Sequence, residues 1–332
     1  MKVAAVQAEP AWFDLEAGID KTISIIKEAA ANGARLVGFP EAFIPGYPTR
    51  VWTEAFNPDF FTEYQKASLG VRSPQYRRIL QATKEANIWV VLGFVELDGN
   101  SMYAAQSVIS ATGEVVLHRR KLKPTGHERT IWGDAPADSL KSAVEGPDGV
   151  IVGCLNCWEH MQPLLRFHHY SQGVQIHVAS WPFFNSAADG ATPHFSSDFQ
   201  VMVTRFSAME GPMFVISSTQ ILRPENVSLC GLDGTPLNAT KGGGFAAIYG
   251  PDGAQLTPPV DPGEEKILYA DIDLDQIRMA KLLVDPVGHY SRPDLLSLHV
   301  TIPPTNPATL VRYNGEVDGT LLSRVSQLPE ST

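Results

Sequence analysis

The chain has 332 residues, 44% of them hydrophobic, enough to fill the core of one large α/β domain or two smaller ones. With 26 basic against 36 acidic side chains the net charge is −10, which argues against nucleic acid and anionic membrane surfaces as partners. Three cysteines are too few, and odd in number, for a disulfide framework, and fit a reducing cytoplasm.

Lys2–Gln7 reads as a first strand, too short and too soon interrupted by Ala8-Glu-Pro10 to be a signal peptide. Asp14 can cap a helix from Leu15 to about Ala31. Ile19, Ile23, Ile26 and Ala30 recur there at helical spacing, and Gly33 supplies the stop. Leu36–Phe39 is a second strand, from which a Pro- and Gly-rich loop, 40–48, hangs. Gln75–Glu85 reads as a helix and Ile88–Phe94 as a strand. Tyr103–Ile109 and Glu114–His118 flank the turn signal Ala111-Thr-Gly113 and form a hairpin. Gly149–Cys154 is an apolar strand, Leu164–Gln172 a helix and Val174–Val178 a strand. Asp198–Met209 is a helix and Met213–Ser218 a strand. Phe245–Tyr249 and Gln255–Leu256 flank a second hairpin turn at Gly250-Pro-Asp-Gly253. Ile267–Asp271 is a strand and Leu274–Lys281 a helix. Strands and helices alternate with hairpins inserted, which is an α/β pattern. No run approaches the ~18 apolar residues of a membrane span. We assign one domain to residues 1–298 and a Pro-rich tail to 299–332, a contact between subunits or a loose end.

Cys157, in Val152-Gly-Cys-Leu-Asn-Cys-Trp-Glu-His160, closes a strand and opens a turn, where α/β proteins carry reactive groups at a rigid edge. Glu41 follows Leu36–Phe39, among Phe39, Phe43 and Ile44. Desolvation there raises a carboxylate's pKa and makes it a better base. Lys121 follows Val115–Leu117 in a basic run, His118–Lys123, of which most is expected to be a solvated face. A thiol, a carboxylate and an amine at one rim can run covalent acyl chemistry. A rival reading takes Cys154-Leu-Asn-Cys157 as a non-catalytic redox or metal motif, with His160, His168 and His169 nearby. A second C-x-x-C is missing, and adjacent histidines on a helix poorly share one metal.

These segments resemble the Glu, Lys and Cys motifs of the nitrilase superfamily. Arg119–Thr125 with His127-Glu-Arg129, Cys157-Trp-Glu159 and Asp285–Ser291 resemble the nitrilase branch in particular, from about Val3 to Leu298. The resemblance implies a four-layer αββα sandwich that pairs with a second copy into αββα–αββα, and a homo-oligomer that extends to spirals. It implies a cofactor-free, metal-free hydrolase turning an organic nitrile into the acid and ammonia. Cys157 would be the nucleophile, Glu41 the base and Lys121 the electrostatic stabiliser. Glu128 matches a second carboxylate that positions Lys121 and substrate. The Trp158 N–H, next to the nucleophile, is an expected oxyanion donor. Glu159 and His289 are read as structural.

Two departures stand out. The chain has Thr125-Gly-His-Glu-Arg129 where many nitrilases have Thr-His-x-Glu-Arg, and Trp132-Gly-Asp-Ala-Pro136 lacks the usual Gly-Asp-Gly. The segment Cys157–Leu164 resembles that of arylacetonitrile-hydrolysing nitrilases. This makes His160, Trp181 and Phe183 candidate pocket residues and an arylaliphatic nitrile the expected substrate. Amides or carbamoyl compounds, and cyanide, are the alternatives within the superfamily.

Overall fold

The structure, a computed structural model, describes residues 1–54, 56–239 and 241–301. From residue 302 onward the expected tail therefore lies outside the described residues. In the first strand, β1 (Lys2–Ala8), Val3 and Ala5 join one core cluster and Ala4 and Val6 another. All four are fully buried, so β1 is covered on both faces. Helix α1 (Leu15–Ala31) starts where Asp14 Oδ1 accepts the Ala17 N–H at 3.0 Å. It ends at Asn32, and Gly33 takes the left-handed turn, φ 82°, that follows.

The chain continues through β2 (Leu36–Gly38), α2 (Pro58–Lys66), α3 (Pro74–Ala86), β3 (Trp89–Asp98), β4 (Ser101–Ile109) and β5 (Val115–Arg120). Then come β6 (Ala143–Glu145), β7 (Ile151–Asn156), α4 (Pro163–Ser171), β8 (Ile176–Trp181), α5 (Ser197–Glu210) and β9 (Phe214–Gln220). Strands β10 (Ala247–Tyr249) and β11 (Lys266–Asp271) and helix α6 (Asp275–Lys281) complete the described elements.

The strands form one path, β5-β4-β3-β2-β1-β9-β8-β7-β6, with β11 on β1 and β10 on β9. The path is joined in the middle by only two residue pairs, Gln7 with Thr219 and Ala8 with Gln220. Its two halves fold face to face. Val3, Leu36, Val91 and Val108 of one half pack with Val152, Cys154, Val178 and Ile216 of the other. On the outer faces, Ile19, Ile26 and Ile79 of α1 and α3 cover Val37 and Val90. Tyr170, Val203 and Ala208 of α4 and α5 cover Ala179 and Val215. This is the helix–sheet–sheet–helix sandwich. Gly38 lets the sheets close up: a Cβ there would lie 2.7 Å from Val178 Cγ1.

Some elements differ from the sequence reading. Helix α2 was not expected, although Asn57 caps it, accepting from Phe60 N at 2.9 Å, and Pro58 opens it. Strand β6 has three residues, too few for a periodic signal. Strands β7 and β8 run further toward their C-terminal ends than expected, to Asn156 and Trp181. In the last hairpin, Gln255 makes a single bridge to Tyr249 rather than a strand. Among the described residues, no helix is long and apolar enough to cross a membrane.

Candidate active site

Three strand ends converge. After β2 the chain arches over β3: Phe39 N–H donates to Val91 O, Phe43 N–H to Gly93 O and Val95 N–H to Ile44 O, at 2.8–2.9 Å. Gly93 makes the arch possible, because a Cβ there would meet Pro40 O at 2.1 Å. Glu41 sits at the top of this arch, fully buried. Gln220 at the end of β9 fixes it from the other half, donating to Glu41 O at 2.6 Å. Lys121 follows β5 and stays in register through its N–H, which donates to Ala104 O at 2.7 Å. Cys157 follows β7 directly and opens a short 3-10 turn, Cys157–Met161. Its φ of 45° is left-handed, an uncommon and strained conformation for a residue with a side chain, of the kind that clusters at functional sites.

At the centre lies the Lys121 ammonium. It donates to Glu41 Oε1 at 2.9 Å and to Glu128 Oε2 at 2.7 Å. Glu128 also accepts from Thr125 N at 2.6 Å and from Tyr47 Oη at 2.7 Å, and Trp52 Nε1 donates to that Tyr47 oxygen at 3.0 Å. A carboxylate oxygen of Glu41, one of Glu128 and the Cys157 sulfur lie within 4.8 Å of one another. Such a trio has metal-ligand chemistry, but the ammonium already supplies the cation that both carboxylates face.

Burial dominates the protonation states. Desolvation pushes the Glu41 carboxyl up from 4.5 to about 8, against the pull of Lys121 and with the push of Glu128. Desolvation also raises the Cys157 thiol well above its ordinary value, as does Glu41. Lys121 and the Trp158 N–H act the other way. The Lys121 ammonium is held above its usual range by Glu128 and Glu41, which outweigh its own burial. The resting site is therefore a neutral thiol beside a reluctant carboxylate and a fixed cation.

A second buried ion pair ties the Lys121 and Cys157 segments together. Arg119 donates from both terminal nitrogens to Glu159, at 2.6 and 2.7 Å. Glu159 accepts in addition from Leu122 N and Asn156 N, each at 2.9 Å. This bidentate geometry satisfies both carboxylate oxygens, as a buried pair requires. The basic run is thus not mainly a solvated face. Arg119 and Lys121 are buried, and Arg120 pairs with Glu96 and Asp98. Lys123 alone of these four is exposed, 2.6 Å from Asp134. The expectation failed because composition does not reveal which cations meet carboxylates brought from other strands.

A cavity of 470 Å³ opens onto Cys157 and Glu128, within the range of small-molecule sites. Trp158, Phe183, Trp52, Phe195 and Leu237 give it an apolar wall. The Phe195 ring centroid lies 5.1 Å from that of Trp158 and 5.7 Å from that of Trp52. Glu41 and Lys121 are not in the wall but behind it. Of the three expected pocket residues, Phe183 lines the cavity; His160 and Trp181 are buried outside it, their rings stacked at 4.9 Å. His289 is exposed at Asp285, also outside the cavity.

The altered Thr125–Arg129 segment has a local reason. Gly126, φ 51°, leaves room for Trp52: a Cβ would lie 2.6 Å from its Cη2. His127 then stacks on the Trp52 ring at 5.0 Å. In the other altered loop, Gly133 packs on Tyr103 and Trp132 lies beside the Lys121 ammonium. The C-x-x-C reading fares poorly. Cys154 lies mid-strand between the sheets, Cys157 joins the outer cluster, and both are free thiols. Tyr47, Trp52 and Phe195 were missed by sequence reasoning. Tyr47 lay within the loop already singled out, so its hydroxyl could have been weighed. Trp52 and Phe195 come from separate loops with no local signal.

Residues 2–282 match the carbon–nitrogen hydrolase family model. The chain is 51% identical to a nitrilase of Talaromyces marneffei, over 90% of this chain and 95% of that protein. It is 46% identical to an aliphatic nitrilase of Rhodococcus rhodochrous, over 96% and 90%. It is 47% identical to an arylacetonitrilase of Aspergillus kawachii, over 90% and 92%. Among solved structures, the Caenorhabditis elegans NitFhit protein shares the fold with a TM-score of 0.70 at 18% identity, covering 93% of this chain and 69% of that one.

Proposed function

Because the chain belongs to the carbon–nitrogen hydrolase family, we propose that it hydrolyses an organic nitrile to the carboxylic acid and ammonia. The observation that carries the chemistry is the state of Glu41. One oxygen is tied to Lys121, while Oε2 is buried without a hydrogen-bond partner among the described residues, in the same small cluster as the Cys157 sulfur. An orphaned buried acceptor is costly unless it is used, and here the thiol proton can use it.

Cys157 sulfur attacks the nitrile carbon while its proton passes through Glu41 to the nitrile nitrogen, giving a thioimidate. Water adds, the tetrahedral intermediate expels ammonia, and a thioester remains. Glu41 deprotonates a second water, which releases the acid and restores the thiol. Two waters are consumed per nitrile. The Lys121 ammonium and Trp158 N–H meet negative charge as it develops, and Glu128 with Tyr47 holds the ammonium in place. None of these steps calls on a cofactor.

The acid limb of kcat/KM is expected well above the ordinary carboxylate range. Glu41 must be ionised to accept the proton, and burial moves its titration up toward about 8. Activity then rises as pH rises through that region, with an apparent constant that belongs to the coupled site. A pH profile flat from 6 to 8, with its limb near 4.5, would contradict this assignment.

The relatives differ in substrate, and the aromatic wall favours a flat group. Offset ring contacts are worth ~0.5–1.5 kcal/mol per pair. Phenylacetonitrile is expected to exceed short aliphatic nitriles and cyanide in kcat/KM. Phe195→Ala should lower phenylacetonitrile turnover by roughly 2–13-fold on that energy scale, with less effect on small nitriles. Ammonia release across a panel with the paired amides measures this, using full-length protein whose mass in solution is known from light scattering. Self-association is part of the proposal. A preference for a small dinitrile or cyanide would sink the pocket argument. A preference for amides would sink the nitrile reading.

A further inference from the structure

We propose that His177 is a positioning residue: with His160 and His169 it forms a one-way hydrogen-bonded chain that holds the Cys157 carbonyl, and thereby the nucleophile's backbone. The inference rests on Cys157 being the nucleophile. Four contacts define the chain. Cys157 O lies 2.6 Å from His160 Nδ1, and His160 Nε2 lies 2.7 Å from His177 Nε2. His177 Nδ1 lies 2.9 Å from His169 Nε2, and His169 Nδ1 lies 2.7 Å from Ser142 Oγ. All three rings are at most 1% exposed.

The direction of every hydrogen bond follows from the carbonyl end and from the neutrality of the rings. A carbonyl oxygen only accepts, so His160 Nδ1 carries the hydrogen. A neutral imidazole has one donor and one acceptor, so His160 Nε2 accepts and His177 Nε2 donates. By the same step His177 Nδ1 accepts from His169 Nε2, and His169 Nδ1 accepts from the Ser142 hydroxyl. Ser142 Oγ in turn accepts from Gln172 Nε2 at 3.1 Å, which leaves its own hydrogen for His169. The dipoles therefore align toward Cys157. Charging His160 or His177 would set two N–H donors face to face. Burial keeps the three imidazoles neutral, with His160 lowered to about 4.

The surroundings are shaped for this chain. Gly153 lies beside His169, where a Cβ would come within 2.4 Å of Cε1, so only glycine leaves room for the ring. Arg166 donates to His160 O at 2.7 Å and fixes the other end of that residue. The chain runs from α4 through β8 to the turn that Cys157 opens. That turn is where φ is left-handed, a conformation that persists only if its surroundings over-determine it. Without His177 the His160 ring loses the donor at its Nε2 that fixes its tautomer and orientation, and the hold of His160 Nδ1 on the Cys157 carbonyl loosens with it.

Two variants and one spectrum test this. His177→Phe keeps a ring and removes both nitrogens. kcat on the nitrile is expected to fall on the order of 10²-fold, the cost of a small misplacement of a reacting group, with KM nearly unchanged. His177→Gln offers a donor and an acceptor on one group and should recover most of kcat. In wild-type protein, solid-state ¹⁵N NMR of labelled histidines should find His160 protonated at Nδ1, and His177 and His169 at Nε2. Wild-type kcat in His177→Phe overturns the proposal. So do equal losses in both variants that track their thermal destabilisation, or a His160 protonated at Nε2. If His177→Phe does not fold, the spectrum decides. An active Cys157→Ala enzyme would instead remove the nucleophile reading, independently of the tautomers.

Discussion

Cys157→Ala is expected to lower nitrile turnover on the order of 10⁵–10⁶-fold, the scale of losing a covalent nucleophile. The fold should survive, because the lost sulfur borders the cavity and leaves no sealed void. Cys154→Ala is the matched control. That thiol lies between the sheets, in a different core cluster from Cys157, and burial pushes it up to about 12. Its loss should cost stability on the scale of one small core truncation and little activity. Equal inactivation of the two variants, with both folded by circular dichroism, would restore the C-x-x-C reading.

Lys121→Ala is expected to lower kcat/KM by about 10²–10³-fold, the cost of one preorganised donor at a developing anion. It should also destabilise. Glu41 and Glu128 both face the ammonium, and removing one partner of a buried pair costs about 3–5 kcal/mol. Rates must therefore be referred to the folded fraction. Lys123→Ala should be nearly silent on both counts, since its pair with Asp134 is more than half exposed. Lys121→Arg should not rescue, because a larger planar fork does not fit between two carboxylates spaced for an ammonium. Equal mild losses at positions 121 and 123 would remove Lys121 from the chemistry.

What could be read in the sequence was local. Asp14, the 3.6-residue spacing of Ile19, Ile23 and Ile26, and Gly33 define α1 at both ends, and the structure has those ends. Glu41, Lys121 and Cys157 each follow an apolar strand, so strand ends placed them at one rim before any contact was known. What could not be read needed a partner from elsewhere in the chain. Arg119 looked solvated because Glu159, its bidentate partner, lies 40 residues on. Trp52 and Phe195 meet edge to face in the cavity wall, from loops that share no pattern. His160, whose neighbours in sequence suggested a pocket wall, instead joins His177 and His169 behind it. Only the packing of α4 and of the Cys157–Met161 turn against β8 brings those three rings together.

The most direct measurement is to trap the covalent intermediate. The enzyme is mixed with phenylacetonitrile, quenched in acid during turnover, digested and read by mass spectrometry. The account predicts an acyl or thioimidate adduct on the peptide holding Cys157, located at that sulfur by fragmentation and absent in Cys157→Ala. An adduct on Cys154 or Cys230, or continued turnover by Cys157→Ala with no adduct, would contradict it.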